Sequence, residues 1–180
     1  MGVIRPCDAS EHDAILAVVN AAAEAYRGVI PADRWHDPYM RPEALNGEVA
    51  AGVRFWGYEA GGALVGVMGI QAVADAELIR HAYVLPAHQG EGIGTALLRH
   101  LRGLSGRPML VGTWADAAWA IRFYQRNGFA LVSESEKTEL LRRYWTIPER
   151  QIETSVVLAE NRGQTPNETV TEAQRPPFGV

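Results

Sequence analysis

Three glycines at alternate positions, within Gln89-Gly90-Glu91-Gly92-Ile93-Gly94-Thr95, form the stretch of this chain best suited to chemistry. Before it, Leu78 to Leu85 is rich in β-branched and aromatic residues and is stopped by Pro86, which cannot donate to a sheet ladder. After it, Ile93, Ala96, Leu97, Leu98, Leu101 and Leu104 recur at helical spacing until Gly106 and Pro108. A strand, a glycine loop and a helix start in that order make an anion site. The first N–H groups of a helix lack partners, and the aligned peptide dipoles add partial positive charge there. Residues without a Cβ let a bulky diphosphate approach the backbone closely. Two other glycine motifs do not fit: the dinucleotide fingerprint G-x-G-x-x-G has a different third spacing, and a P-loop needs Lys and then Ser or Thr where Thr95-Ala96 stands.

Tyr83-Val84-Leu85-Pro86, then this glycine run, then Ala120-Ile121-Arg122-Phe123-Tyr124-Gln125-Arg126-Asn127-Gly128-Phe129 resemble the GNAT superfamily of acyl-CoA-dependent N-acyltransferases. The pyrophosphate motif of that family is Gln or Arg, two residues, Gly, one residue, then Gly or Ala; Gln89, Gly92 and Gly94 match it position by position. The likeness is strong over residues 76–134 and extends over about 3–158. It implies that Gln89, Gly90, Glu91, Gly92, Ile93, Gly94 and Thr95 hold acetyl-CoA, the acyl donor. It also implies that the strand edge at Val84 and Leu85 pairs with the peptide-like pantetheine arm, in the manner of an added strand. A backbone N–H at that edge would stabilise the oxyanion of the tetrahedral intermediate, typically by about 3 to 4 kcal/mol. The family often has Asn seven residues before the tyrosine, a position held here by Ala117, with Asp116 as the candidate substitute.

The same resemblance gives Tyr124 the role of acid toward the departing thiolate. A thiol near 8.5 and a phenol near 10 make full proton transfer uphill by about 1.5 units, so hydrogen bonding to the thiolate, with late transfer, is the better reading. An amine with a lysine-like value of about 10.4 costs roughly 4 kcal/mol to neutralise at pH 7.4. Glu77, His81 and Tyr83 share one strand face by the period of two, which makes Glu77 and His81 candidates for direct or water-relayed proton removal. In the family the segment between the first and second strands often lines the acceptor side, so the resemblance implies substrate binding by Tyr26, Trp35, His36 and Tyr39. Trp114, Trp119 and Trp145 are expected to pack.

Those groups need a scaffold, and the rest of the chain supplies its parts. Val3 to Pro6 reads as an opening strand, with Asp8 or Ser10 capping a helix whose buried stripe is Ile15, Leu16, Val18 and Val19. Tyr26 to Met40 breaks the pattern with Gly28, Pro31 and Pro38, and Pro42 to Val49 resumes as a short helix. Val53–Glu59 and Ala63–Gln71 form a hairpin through Ala60-Gly61-Gly62, and the run from Glu77 continues the meander. Pro108–Trp114 is a strand parallel to that run, Asp116 caps a helix to Arg126, and Phe129–Ser133 is a strand. A helix over Glu136–Trp145 and a last strand over Ile152–Leu158 follow. Such an order suggests a mixed α/β sheet with helices on both faces. The resemblance implies the GNAT-like fold: a mostly antiparallel twisted sheet of about seven strands with a splayed parallel pair.

A chain of 180 residues with 47% hydrophobic content suits one domain, over residues 1–160, and residues 161–180 have the polar, proline-containing composition of a disordered or partner-docked tail. A net charge of −4 with interspersed signs offers no basic field for nucleic acid or anionic membrane. The single Cys7 cannot form an internal disulfide, no leader or long apolar run is evident, and the cytoplasm is the simplest compartment. The histidine spacings favour no metal site. The expected activity is N-acetyl transfer to a primary amine of a small molecule or protein by direct attack in a ternary complex, with a homodimer left open. A CoA-binding regulatory module without turnover and an O-acyltransferase are the alternatives, and Tyr124 favours an enzyme.

Overall fold

In the computed structural model, which describes residues 2–161, a seven-stranded sheet runs in the order β1-β2-β3-β4-β5-β7-β6. The strands are β1 (Val3–Pro6), β2 (Arg54–Ala60), β3 (Ala63–Val73), β4 (Ala76–Val84), β5 (Met109–Trp114), β6 (Phe129–Leu131) and β7 (Ser155–Glu160). All neighbours pair antiparallel except β4 and β5, which are parallel. The expected tail lies outside the described residues apart from Asn161.

The β2–β3 connection is the two-residue turn that its sequence calls for: Gly61 and Gly62 both have positive φ, and Ala60 pairs with Ala63. β3 sits between two helical layers, so Leu64 to Gln71 are all buried. On one face, α1 (His12–Ala23) and α2 (Pro42–Ala50) pack Ile15, Val18, Val19 and Leu45 onto Phe55 and Val67. On the other, α3 (Ile93–Leu104) and α4 (Ala118–Arg126) pack Ile93, Leu97, Leu98 and Tyr124 onto Met68, Ile70 and Ile79. Gly66 makes room for the start of α3, since a Cβ there would lie 2.8 Å from Ile93. The helix that begins at the glycine loop is therefore seated directly on the central strand.

The carboxyl-terminal third departs from the expected boundaries. α5 starts two residues early, at Glu134–Tyr144, because Ser133 caps it by accepting the Glu136 N–H. Ile152 belongs to a five-residue helix, α6 (Glu149–Glu153), begun by Pro148, and its side chain fills a cluster with Leu141 and Val157; strand β7 begins only at Ser155. Asp116 does not cap α4 through its carboxylate: its backbone carbonyl accepts the Ala118 N–H, and Ala117 occupies the cap position. Among the described residues no helix is long and apolar enough to cross a membrane. Nor, among them, does any group of three or more His, Cys, Asp or Glu stand ready to hold a metal.

At the amino end, Arg5 on β1 grips Glu11 with two hydrogen bonds of 2.9 and 2.7 Å and Glu59 with one of 2.7 Å. The Arg5 contact and the Asp8 N–H hold the Glu11 carboxyl down at about 2. A carboxyl depressed in the folded state stabilises at pH above its ordinary 4.5 and loses that contribution as pH falls toward about 2. Glu11→Gln is expected to flatten the acid side of the melting-temperature profile in that window and to cost less than about 1 kcal/mol at neutral pH, as surface pairs do. An unchanged acid limb would show that other carboxylates set it.

Candidate active site

The parallel pair is joined only at one end. Glu77 pairs with Met109, Leu78 with Leu110 and Ile79 with Val111, and there the ladder stops, although β4 runs on to Val84 and β5 to Trp114. The cause lies in β4. Arg80 is opposite Gly69 and Tyr83 opposite Val67, so His81 and Ala82 together face Met68, a bulge in which His81 takes φ +49. A bulge bends its strand and sharpens the local twist, which carries β4 away from β5. A cavity of about 560 Å³ occupies the opening, lined from one side by Leu97, Phe123 and Tyr124 and from the other by Tyr26, Tyr39 and Trp145.

The bulge also corrects the expected shared face of Glu77 and His81. Glu77 and Ile79 face α3; Glu77 accepts from Ser105 Oγ at 3.0 Å, beyond the far end of that helix from the glycine loop, and does not line the cavity. His81 lies on the opposite face, stacked on Phe55 with ring centres 5.9 Å apart. It borders the cavity, and its Nε2 is 3.2 Å from Glu48 Oε2 on α2, close enough to pair as charges but off the line of a hydrogen bond. Burial works against the charged form of Glu48, yet His81 and Arg80 outweigh it and hold the carboxyl below its ordinary value. Glu48 had no sequence motif to mark it, since only the bulge brings His81 to α2.

The free edge of β4 is narrower than expected. Leu85 spends its N–H on Val65 O at 2.8 Å, across the antiparallel ladder with β3. Backbone groups alternate sides along a strand, so Val84, paired opposite Gly66, turns its N–H and C=O toward the splay. The Gln89 side chain donates to that Val84 carbonyl at 3.1 Å and ties the glycine loop to the strand.

In the loop, Gly90 and Gly92 have φ of +85 and +80, and Gly92 immediately precedes α3. A Cβ on either would meet nothing within 4 Å, and no side chain caps the helix, so its first N–H groups face open space. Those residues suit a diphosphate. Gly94 borders the cavity, and a Cβ there would come within 3.3 Å of the Phe123 ring, which would have to give by a few tenths of an ångström. Ile93 is buried in the core, Thr95 is half-buried, and Glu91 is exposed with its carboxylate 3.3 Å from His88.

Tyr124 packs edge-on against Phe123 and Phe129, with ring centres at 5.0 and 5.7 Å, and it borders the cavity. Burial pushes its phenol well above the ordinary value, with nearby Tyr26 adding to the effect. On the other side Tyr26, Tyr39 and Tyr83 form a triangle with centres 6.2 to 6.4 Å apart. Asn20 holds that triangle in place by exchanging hydrogen bonds of 3.0 and 2.7 Å with the Met40 backbone. Trp35 is one layer back, against Tyr39, and carries Arg27 over its ring at 4.6 Å. His36 is exposed and does not line the cavity, nor does Asp116. Trp114, Trp119 and Trp145, expected only to pack, all border it. Tyr83 was legible as part of the Tyr-Val-Leu-Pro motif, but its place among the other tyrosines depends on loop 26–40 folding back.

Residues 51–131, which span the hairpin, the splayed strand, the glycine loop and α4, match the family model described as an acetyltransferase (GNAT) domain. Over those residues the chain is similar to the GNAT superfamily. No curated protein matches its sequence. Among solved structures it resembles the PaiA N-acetyltransferase of Thermoplasma acidophilum in complex with coenzyme A, with a TM-score of 0.68 and 16% identity over 89% of this chain and 98% of that one. A GNAT-family acetyltransferase of Staphylococcus aureus Mu50 gives 0.67 and 16% over 89% and 99%. The ribosomal-protein-S18-alanine N-acetyltransferase of Escherichia coli gives 0.61 and 16% over 95% and 100%. At such identities the likeness is one of fold, and the splayed sheet of this chain is that fold.

Proposed function

We propose that this chain is a GNAT acetyltransferase that transfers an acetyl group from acetyl-CoA to a primary amine by direct attack. The observation that carries the reading is a cavity in the splay whose lining takes in Gln89 and Gly94 of the glycine loop, Val84, Tyr124 and the rings of Tyr26, Tyr39 and Trp119. The diphosphate would rest on the N-terminus of α3 and the pantetheine arm along Val84, whose N–H is placed to polarise the thioester carbonyl. An amine entering the chamber meets no carboxylate among the described residues of the cavity wall. Desolvation there favours its neutral form, and His81 with Glu48 behind it can take the proton that attack releases. Glu77 has no part in this reading. Collapse of the tetrahedral intermediate expels the CoA thiolate, to which Tyr124 donates a hydrogen bond.

Burial pushes the Cys7 thiol up to about 11, which leaves little thiolate for a covalent acetyl-enzyme. Initial-rate kinetics should therefore give intersecting lines when acetyl-CoA and an amine are varied, and Cys7→Ala should keep full turnover. Parallel lines, or loss of activity in a folded Cys7→Ala protein, would overturn direct attack. Thiol release with no acetylated amine in the mass spectrum would overturn the N-acetyl assignment.

A further inference from the structure

We infer that the acceptor is a small monoamine carried on an aromatic ring, an arylalkylamine or arylamine, and not a polyamine or a peptide. This deepens the acetyltransferase reading and rests on it.

Three observations converge. The chamber is walled by rings, with Tyr26 at the centre of contacts to Tyr39, Tyr83 and Trp119, the last at 5.1 Å. Stacked and edge-on ring pairs add affinity beyond their buried area, so a flat aromatic guest is favoured over an aliphatic one. The Tyr26 phenol remains neutral, since burial and the neighbouring Tyr39 push it up to about 12 against the opposing pull of Thr113.

The second observation is charge. The described lining contains no Asp or Glu, whereas Arg80 and Arg126 border the cavity. The nearby carboxylates are engaged: Glu24 and Asp37 with Arg27, and Glu48 with Arg80 and His81. A second ammonium on a polyamine would be stripped of water with no anion to meet it, a cost that a monoamine entering as the neutral base does not incur. The third is enclosure. Arg34 donates to Gln151 at 3.4 Å and Arg150 lies 3.7 Å from Asp33, so two pairs join the loop that carries Tyr39 to α6 beside the chamber. A peptide strand would have to part them.

Steady-state assays with 2-phenylethylamine, tryptamine, spermidine and a lysine-containing peptide test the inference. The two aryl substrates should show kcat/KM at least about tenfold above the others, the scale on which pocket fit discriminates. Trp119→Glu adds a carboxylate at the exposed first turn of α4, where an acidic residue suits the helix dipole. It should lower kcat/KM for 2-phenylethylamine and raise it for spermidine. Calorimetric affinity for acetyl-CoA should stay within about twofold, because separated sites act independently. Titration of intrinsic tryptophan fluorescence with 2-phenylethylamine alone supplies a readout free of CoA. Saturable quenching whose dissociation constant, as distinct from its amplitude, rises in Trp119→Glu would support the inference even if acetyl-CoA failed to bind and the enzyme reading fell. Tight acetyl-CoA binding with spermidine or the peptide as the better acceptor would overturn the inference and leave the enzyme reading intact.

Discussion

Gly92→Val is expected to weaken acetyl-CoA binding by at least about 100-fold, close to 3 kcal/mol, as read by calorimetric titration. The space into which the new side chain would project is empty of protein atoms and lies before the uncapped start of α3. That space is what a diphosphate needs, and the N–H groups beyond it are its hydrogen-bond donors. Valine also meets a second difficulty, because Gly92 has φ +80, and a left-handed residue with a branched Cβ costs roughly 1 to 2 kcal/mol of folding stability. A lower melting temperature would then confuse the reading. Gly92→Asn separates the two effects, since Asn tolerates the left-handed region and still fills the cradle. Loss of binding in both variants, with the Asn protein melting near wild type, is the outcome the cradle requires. A folded Asn variant with undiminished affinity would move the diphosphate elsewhere.

The parts of this site written in short sequence were the parts that local physics specifies. Gly61-Gly62 dictates a two-residue hairpin, Pro86 ends a strand, and alternating glycines before an apolar helical stripe place an anion site, so the scaffold around the cradle was readable from β-periodicity and turn chemistry. The bulge was not readable. His81 is an ordinary non-glycine residue at φ +49, with no composition to announce that conformation, and it reverses which face the side chain takes. Reading β4 with an unbroken period of two therefore paired His81 with Glu77, when its actual neighbour is Glu48, 33 positions earlier in the chain. The resemblance pointed to Tyr26 and Tyr39 of the aromatic chamber, but Tyr83 and Trp119 were not legible as part of it, for a related reason. Tyr26 and Tyr39 come from a loop, Tyr83 from a strand and Trp119 from a helix, and only the tether from Asn20 to Met40 and the docking of α4 bring their rings together. Convergence of distant segments has no periodicity to detect.

For Tyr124, the expected result is that Tyr124→Phe lowers kcat by roughly 100-fold, the scale of a positioned proton donor, while the affinity for acetyl-CoA barely changes. The phenol is held well above its ordinary value by burial, so it keeps its proton throughout the working pH range. Such a group gives a thiolate a hydrogen bond and resists giving up the proton outright, because the thiol is the stronger acid by more than the ordinary gap of about 1.5 units. The thioester ground state bears no full charge on sulfur, which confines the benefit to the transition state, and kcat and kcat/KM should fall together. Phenylalanine preserves the ring, so the edge-on contacts to Phe123 and Phe129 survive and the melting curve should move little. The leaving group offers a further check. A thioester whose thiol is more acidic than CoA needs less help, and with such a donor the gap between wild type and Tyr124→Phe should narrow. Wild-type turnover in the variant, or a gap that ignores leaving-group acidity, would leave Tyr124 a packing residue and the thiolate to solvent.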